Sequence, residues 1–321
     1  MSEKLVYVGK VIELHPIENA DFILSATVVC GPGGKWRGVV KKEDFQIGSK
    51  CVVYLPDSLI PPSDDLKFME KSNWRVKMQR FRGSPSEVLI MPYCGPKDTG
   101  FTGDDLTAIY GVTKYHKPVP AHLNGIAKGP FPSFIPKTDE PNYQSVPELV
   151  DQLVGKYYYI TEKCDGSSTT AYRYKGQFGV CSRNLELERN EENGYWKMAL
   201  KYDLENKLPE GYALQWETCG PGIQGNPMGL TEISAFAFSG YNINEHRYLH
   251  MDEFFALLHA LKFPMCKLID TGKHFERQGL ELLGEGSYAN GSVREGVVIR
   301  SQSNYGHALI SFKVINLDYK D

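Results

Sequence analysis

The sequence contains no unbroken apolar run long enough to cross a bilayer. Its start, MSEKLVYVGKVIEL, also lacks the apolar stretch of a secretion signal. No C-x-x-C pair occurs among the seven cysteines at 30, 51, 94, 164, 181, 219 and 266, so the usual signature of a zinc or dithiol redox centre is missing. Their odd number and wide scatter fit a reducing compartment, and a cytoplasmic or nuclear location with no membrane partner is expected. A net charge of only −3 gives no global positive field, so any basic footprint for nucleic acid has to be local. Neither an internal repeat nor a low-complexity tract is visible.

What is present reads as ordinary globular protein. Hydrophobic residues make up 41% and charged residues 23%, which excludes a disordered or fibrous chain. With 321 residues there is room for two domains, each with its own core. Over residues 1–110, short β-branched runs are broken by Gly, Pro, Asp and Asn: LVYVGKVIEL, FILSATVV, RGVV, SKCVVYL, WRVKMQRF and SEVLIMP. Their lengths and spacing suit a small Greek-key barrel such as an OB-fold. Prolines at 118, 120, 130, 132, 136 and 141 then forbid regular structure and mark a connector. The domain expectation is an OB-fold at 1–112, a linker at 113–130 and a second domain at 131–321.

The second part opens with a predicted helix at SVPELVDQLVG, where Ser145 and Glu148 form a capping box, Pro147 sits in the first turn and Gly155 ends it. The strand KYYYITEKCDG follows, then TTAYRY, FGVCSR, YALQWET, SAFAFSGYNI, GVVIRS and ALISFKVI. A further helix, MDEFFALLHALKF, places Phe254, Leu257, Leu258 and Leu261 on one face. Without strict βαβ alternation the fold class is α+β, with largely antiparallel sheets.

The chemistry centres on EKCDGSS, residues 162–168. Taken alone, this is as much a strand end and turn as a reactive site. For Lys163 to act as a nucleophile its ordinary pKa of about 10.4 must be overcome, and a metal ion on a nucleotide phosphate is the natural agent. Such a site needs carboxylates and cations downstream, and Arg183, Glu217, Glu295 and Lys313 supply them at strand ends. Each alone has a plainer explanation as a surface ion pair, but their joint occurrence is harder to assign to chance. Six basic residues at 67, 71, 75, 77, 80 and 82 face one acid, Glu70. Read as a strand, WRVKMQRFRG puts Arg75, Lys77 and Gln79 on one face beside Phe81, with Arg80 and Arg82 adjoining. A solvated barrel edge is the alternative. The loop histidines His15, His116 and His122 have no metal spacing.

The ordered set Lys163-x-Asp165-Gly166, Ser182-Arg183, Glu217, AFAFSGYNI, Glu295-Gly296 and Lys313 resembles the motifs of the covalent nucleotidyltransferases, the superfamily of polynucleotide ligases and mRNA capping enzymes. GPGIQGNP after Glu217, SFKVIN around Lys313 and FIPKTDE ahead of the nucleophile are similar to RNA ligase versions of these motifs. Only residues 314–321 follow Lys313, so the barrel comes first, as in RNA ligase family 5, which the chain resembles. Two departures stand out. Asn142 occupies the region after PKTDE where relatives often carry arginine, and Ser311 and Ile315 flank Lys313 where several ligases have a second lysine.

The resemblance implies ATP and Mg²⁺ or Mn²⁺ as cofactors. It also implies a monomer that seals RNA bearing 3′-hydroxyl and 5′-phosphate ends. Lys163 would form a lysyl-AMP, Asp165, Glu217 and Glu295 would serve metal and ribose, and Arg183 and Lys313 would contact the nucleotide. Either Phe236 or Phe238 would stack on adenine, with Glu162 helping to select it. An ATP-dependent DNA ligase, a GTP-using capping enzyme and a non-catalytic RNA-binding protein remain as rivals.

Overall fold

The computed structural model describes residues 4–31, 34–95, 100–115, 126–305 and 308–319. Residues 116–125, within the expected linker and including His116 and His122, lie outside the described residues. The chain forms two compact units, Met1–Pro118 with Gln144–Pro147, and Val119–Tyr143 with Glu148–Asp321.

The first unit contains β1 (Val6–Ile17), β2 (Ala20–Cys30), β3 (Gly34–Lys41), β4 (Lys50–Tyr54), β5 (Ser58–Leu59), β6 (Gln79–Phe81), β7 (Ser84–Ser86), β8 (Leu89–Pro92) and β9 (Thr113–Lys114). Five of these form an antiparallel sheet in the order β3-β2-β1-β4-β8. Along β3, Trp36 and Val40 are buried while Lys35, Arg37 and Lys41 are exposed, the period-two pattern of a strand with one wet face. The sheet curls so that its outer strand β3 meets the segment before β8. The Glu87 N–H donates to the Arg37 carbonyl at 2.9 Å, and the Val39 N–H donates to Ser86 Oγ at 3.0 Å. Packing is close here: a Cβ on Gly38 would lie 2.5 Å from the end of the Ile90 side chain, which would have to shift. Inside sit Val11, Val28, Trp36, Val53 and Ile90.

One expected strand is not formed. Asn73 and Trp74 have φ of +51° and +61°, so the chain turns where WRVKMQRF begins, and in place of one continuous strand it makes an isolated bridge from Arg75 to Leu59 and a short strand, Gln79–Phe81, paired with β7. Arg75, Lys77 and Gln79 therefore do not share a strand face. Arg75 instead donates to Asp57 Oδ1 at 3.0 and 2.6 Å and lies 4.1 Å over the Tyr115 ring.

The second unit contains β10 (Ala127–Pro130), α1 (Pro147–Leu153), β11 (Tyr158–Glu162), β12 (Ser167–Tyr174), β13 (Gln177–Ser182), β14 (Leu185–Leu187), α2 (Gly194–Lys201), α3 (Leu204–Lys207), β15 (Tyr212–Cys219), β16 (Ser234–Asn242), β17 (Arg247–Tyr248), α4 (Met251–Leu261), β18 (Leu268–Gly272), α5 (Leu280–Gly284), β19 (Gly296–Ser301) and β20 (Ser311–Ile315). They make a seven-stranded sheet, β10-β14-β13-β12-β15-β16-β17, and a four-stranded one, β18-β11-β19-β20, both antiparallel throughout.

Strand alternation divides the larger sheet into two faces. Leu214, Trp216, Ala235 and Ala237 join Trp196 of α2 and Phe254, Leu257, Leu258 and Leu261 of α4 in the main core. On the other face Glu217 stands between its cross-strand partners Ser168 and Phe236. α4 starts where Glu253 accepts the His250 N–H at 2.8 Å, and it ends at Lys262 with φ +51°. In the smaller sheet, Ile160, Ile299, Phe312 and Val314 bury one face. Thr161, Val298 and Lys313 stand opposite one another on the other, along with Arg300.

Because Phe254 is only 2% exposed inside the main core, Phe254→Ala should cost about 3–5 kcal/mol of unfolding free energy. Urea denaturation at constant m value measures it, and a loss below about 1 kcal/mol would contradict this account of the core.

Candidate active site

Lys163 follows β11 directly, and its backbone extends the ladder: its N–H donates to the Gly296 carbonyl at 3.0 Å. Its carbonyl accepts the Tyr288 hydroxyl at 2.9 Å, and its Nζ lies 2.6 Å from Glu295 Oε1. Two glycines make this approach possible. Gly296 has φ +149°, and a Cβ there would sit 2.1 Å from the Val314 carbonyl oxygen. At Gly166 a Cβ would meet the Thr218 carbonyl at 2.4 Å and Cys219 Sγ at 2.7 Å. The glycines of the KxDG and EG motifs thus let the nucleophile loop lie directly on β15 and set β19 against β20. Asp165 accepts a hydrogen bond from the Tyr319 hydroxyl.

Electrostatically this is a crowded acidic pocket. Burial raises the pKa of Glu217 to about 8, with Glu295 and Asp165 adding to the rise while Lys163 opposes it. For Lys163, burial pulls downward, but Glu295, Glu217 and Asp165 outweigh it and hold the amine above its ordinary value as an ammonium. Burial likewise raises Glu162, which stands across from Val297 on the side of the sheet opposite Thr161.

The proline-rich segment before α1 laces the two sheets together. Pro136 accepts Gln215 Nε2 at 2.9 Å, and Thr138 shares a hydrogen bond with Ser168 at 2.5 Å. Asp139 pairs with Arg183. Glu140 receives Arg300 Nη2 at 2.8 Å, and Pro141 accepts the Lys313 backbone N–H at 2.8 Å. Asn142 bridges the Lys313 backbone. Arg300, 1% exposed, also donates to Thr161 Oγ1 at 3.2 Å and lies 5.7 Å over the Phe238 ring. Phe236 and Phe238 are half-buried against Cys164, Cys219 and Cys266, so Cys164 is a packed residue, as its position in the motif suggests.

Sequence reasoning assigned no role to Tyr288, Tyr319, Glu140 or Arg300. Only Arg300 had a signal there, being a charged residue inside an otherwise apolar strand. Among the basic candidates of the first unit, Arg80 Nη1 donates to the Gly83 carbonyl at 2.9 Å in the β6–β7 turn, where Arg82 is exposed. Lys77 is exposed in the preceding loop.

Residues 156–315, which hold Lys163, Asp165, Glu217, Glu295 and Lys313, match a family model described as RNA ligase. The whole chain is similar to structures of the Naegleria gruberi RNA ligase. A ligand-free aspartate-to-alanine mutant matches with a TM-score of 0.82 and 29% identity, over 99% of this chain and 97% of that one. Over residues 156–315 the chain carries an RNA ligase domain.

Two further structures of the Naegleria ligase match similarly. A lysine-to-alanine mutant with ATP and Mn has a TM-score of 0.81 and 28% identity, over 97% of each chain. A lysine-to-methionine mutant with AMP and Mn has a TM-score of 0.82 and 29% identity, over 98% of this chain and 97% of that one. Residues 5–93 match an OB-fold domain model, so an OB-fold domain precedes the ligase domain. No curated protein matches the chain.

Among the described residues of this ligase, no three His, Cys, Asp or Glu side chains surround one point closely enough to hold a metal by themselves. The pocket nonetheless fits a hard cation. Glu295 Oε2 is buried without a hydrogen bond, and the neighbouring Glu217 is destabilised as an anion. Such a donor set suits an ion that keeps most of its waters and takes one or two carboxylates plus phosphate oxygens.

A pH dependence follows for the ligand-free protein. Glu217 keeps its proton to about pH 8 when folded but loses it near 4.5 when unfolded, so the folded state binds more protons in that window. Its contribution to stability therefore falls as pH rises from about 4.5 to about 8. Glu217→Gln should flatten the decline in thermal midpoint across this range, and an unchanged pH slope would contradict the assignment.

Proposed function

We propose that the chain is an ATP-dependent RNA ligase that joins a 3′-hydroxyl to a 5′-phosphate through a lysyl-AMP on Lys163. The observation that carries this reading is the Lys163 Nζ held 2.6 Å from Glu295 on a loop pressed onto Glu217. Support also comes from the similar Naegleria ligase, which binds ATP with Mn and AMP with Mn.

In the first step Lys163 gives up a proton, for which Glu295 Oε1 is the acceptor in reach, and its nitrogen attacks the α-phosphorus of ATP. The new P–N bond forms as the bond to the leaving pyrophosphate breaks. The AMP then passes to the RNA 5′-phosphate, freeing Lys163, and the 3′-hydroxyl finally displaces AMP to close the strand. Dividing the sealing into three in-line displacements leaves the protein mainly positioning and charge neutralisation to supply. A bound Mg²⁺ or Mn²⁺ supplies positive charge against the phosphates and the carboxylates.

Asp165, Glu217 and Glu295 would hold that cation through oxygen atoms or their waters. Arg183 and Lys313 take the nucleotide phosphates, which for Arg183 requires exchange of its Asp139 partner. Phe236 stands directly across from Glu217 and is the better placed ring for adenine, because Phe238 already faces Arg300. Gly166 lets the loop approach, and Glu162 braces it from the opposite side of the strand. Arg75, Lys77, Arg80 and Arg82 form part of the RNA-contacting surface of the OB module, and the catalytic domain follows it; of the expected linker at 113–130, β9 belongs to the first unit and β10 to the second. Among the described residues no helix is long and apolar enough to cross a membrane. We take the enzyme to work as a monomer in the cytoplasm or nucleus, a reading supported by seven free thiols.

The test is sealing of single strands and nicked duplexes that carry RNA or DNA on each side of the break. RNA with 3′-hydroxyl and 5′-phosphate ends should be joined only with ATP and a divalent cation, and Glu295→Ala should reduce joining by at least about 100-fold. Equal sealing of all-DNA ends would favour a DNA ligase instead.

A further inference from the structure

We propose that Tyr288 is a positioning residue for lysyl-AMP formation, its single buried hydroxyl fixing the backbone of Lys163 against that of Glu295. This rests on Lys163 being the nucleophile, as set out above.

The hydroxyl donates to the Lys163 carbonyl at 2.9 Å and accepts the Glu295 backbone N–H at 3.2 Å. One oxygen therefore holds both residues whose side chains meet at 2.6 Å. Tyr288 is only 3% exposed, so water does not compete for the two bonds its hydroxyl makes.

The loop carrying Tyr288 is itself braced. The Tyr288 N–H donates to Ser292 at 2.8 Å, while Asn290 Nδ2 and Ser292 Oγ both donate to the Pro227 carbonyl, at 3.0 and 2.6 Å. Arg294, buried at the end of the same loop, donates to the carbonyls of Leu283 at 2.8 Å and Glu285 at 2.5 Å. A phenol anchored this way is a fixed reference point rather than a follower of Lys163. The position of a reacting amine matters because a displacement of about 1 Å from in-line geometry costs roughly 100-fold in rate.

Tyr288→Phe keeps the ring in its packing and removes only the oxygen, which separates positioning from packing. Two steps are then measured on the same sample, its folding checked by thermal midpoint. One is the single-turnover rate of adduct formation from labelled ATP. The other is ATP-independent joining of RNA that already carries AMP on its 5′-phosphate, a step in which the Lys163 amine is not the nucleophile.

We expect adduct formation to slow about 10- to 100-fold. The ATP concentration giving half-maximal rate should change less than about threefold, and joining of pre-adenylylated RNA should also fall less than about threefold. Equal slowing of both steps, or no slowing of either, would overturn the positioning role. Absence of any adduct on the unmodified protein would instead remove the underlying assignment of Lys163, and the proposal with it.

Discussion

A lysine amine among three carboxylates sets the terms for the rest of the ligase domain. Glu295 and Asp165, joined by Glu217 once it ionises, hold Lys163 as an ammonium, which is the right charge to receive a nucleotide and the wrong one to attack it. Resolving that conflict requires positive charge to arrive with the substrate, so the site is built to be incomplete until ATP and its cation enter. Burial raises the cost of this arrangement, as the elevated Glu217 shows. The fold tolerates it because the pocket lies between two sheets whose opposite faces carry the apolar cores. Stability and reactivity are thus placed on different sides of the same strands.

Backbone approach, more than side-chain packing, brings the charged groups together. Gly166 lies on β15 and Gly296 lies against β20 at distances that no Cβ would permit. Around them the segment from Pro136 to Asn142 contacts both sheets through Gln215, Ser168, Arg183, Arg300 and the Lys313 backbone. A proline-rich stretch that reads as a connector acts as a strap across the cleft. Its conformation suits the task, since prolines limit the freedom lost when it is ordered.

The legible parts of the sequence were those governed by local periodicity. The four apolar positions of α4 are the four that are buried, and the strand before Lys163, the strand carrying Glu217 and the strand after Glu295 form where alternation and β-branching place them. The motif order also led to the family. Less legible were features set by contacts between distant residues. Tyr288 meets Lys163 across 125 positions and Arg300 meets Glu140 across 160, and no local pattern encodes either pairing. Around Trp74 the alternation itself misled, because two consecutive left-handed residues interrupt a run that has strand-like composition. Asn142, read as a missing arginine, proves to be part of the strap through its backbone bridge to Lys313.

The most direct measurement of the central claim is peptide mapping of the protein after incubation with ATP and Mg²⁺ or Mn²⁺. The account predicts one acid-labile AMP adduct, on Lys163, which is discharged by excess pyrophosphate and absent from Lys163→Ala. An adduct on another residue, or one that persists in Lys163→Ala, would contradict it.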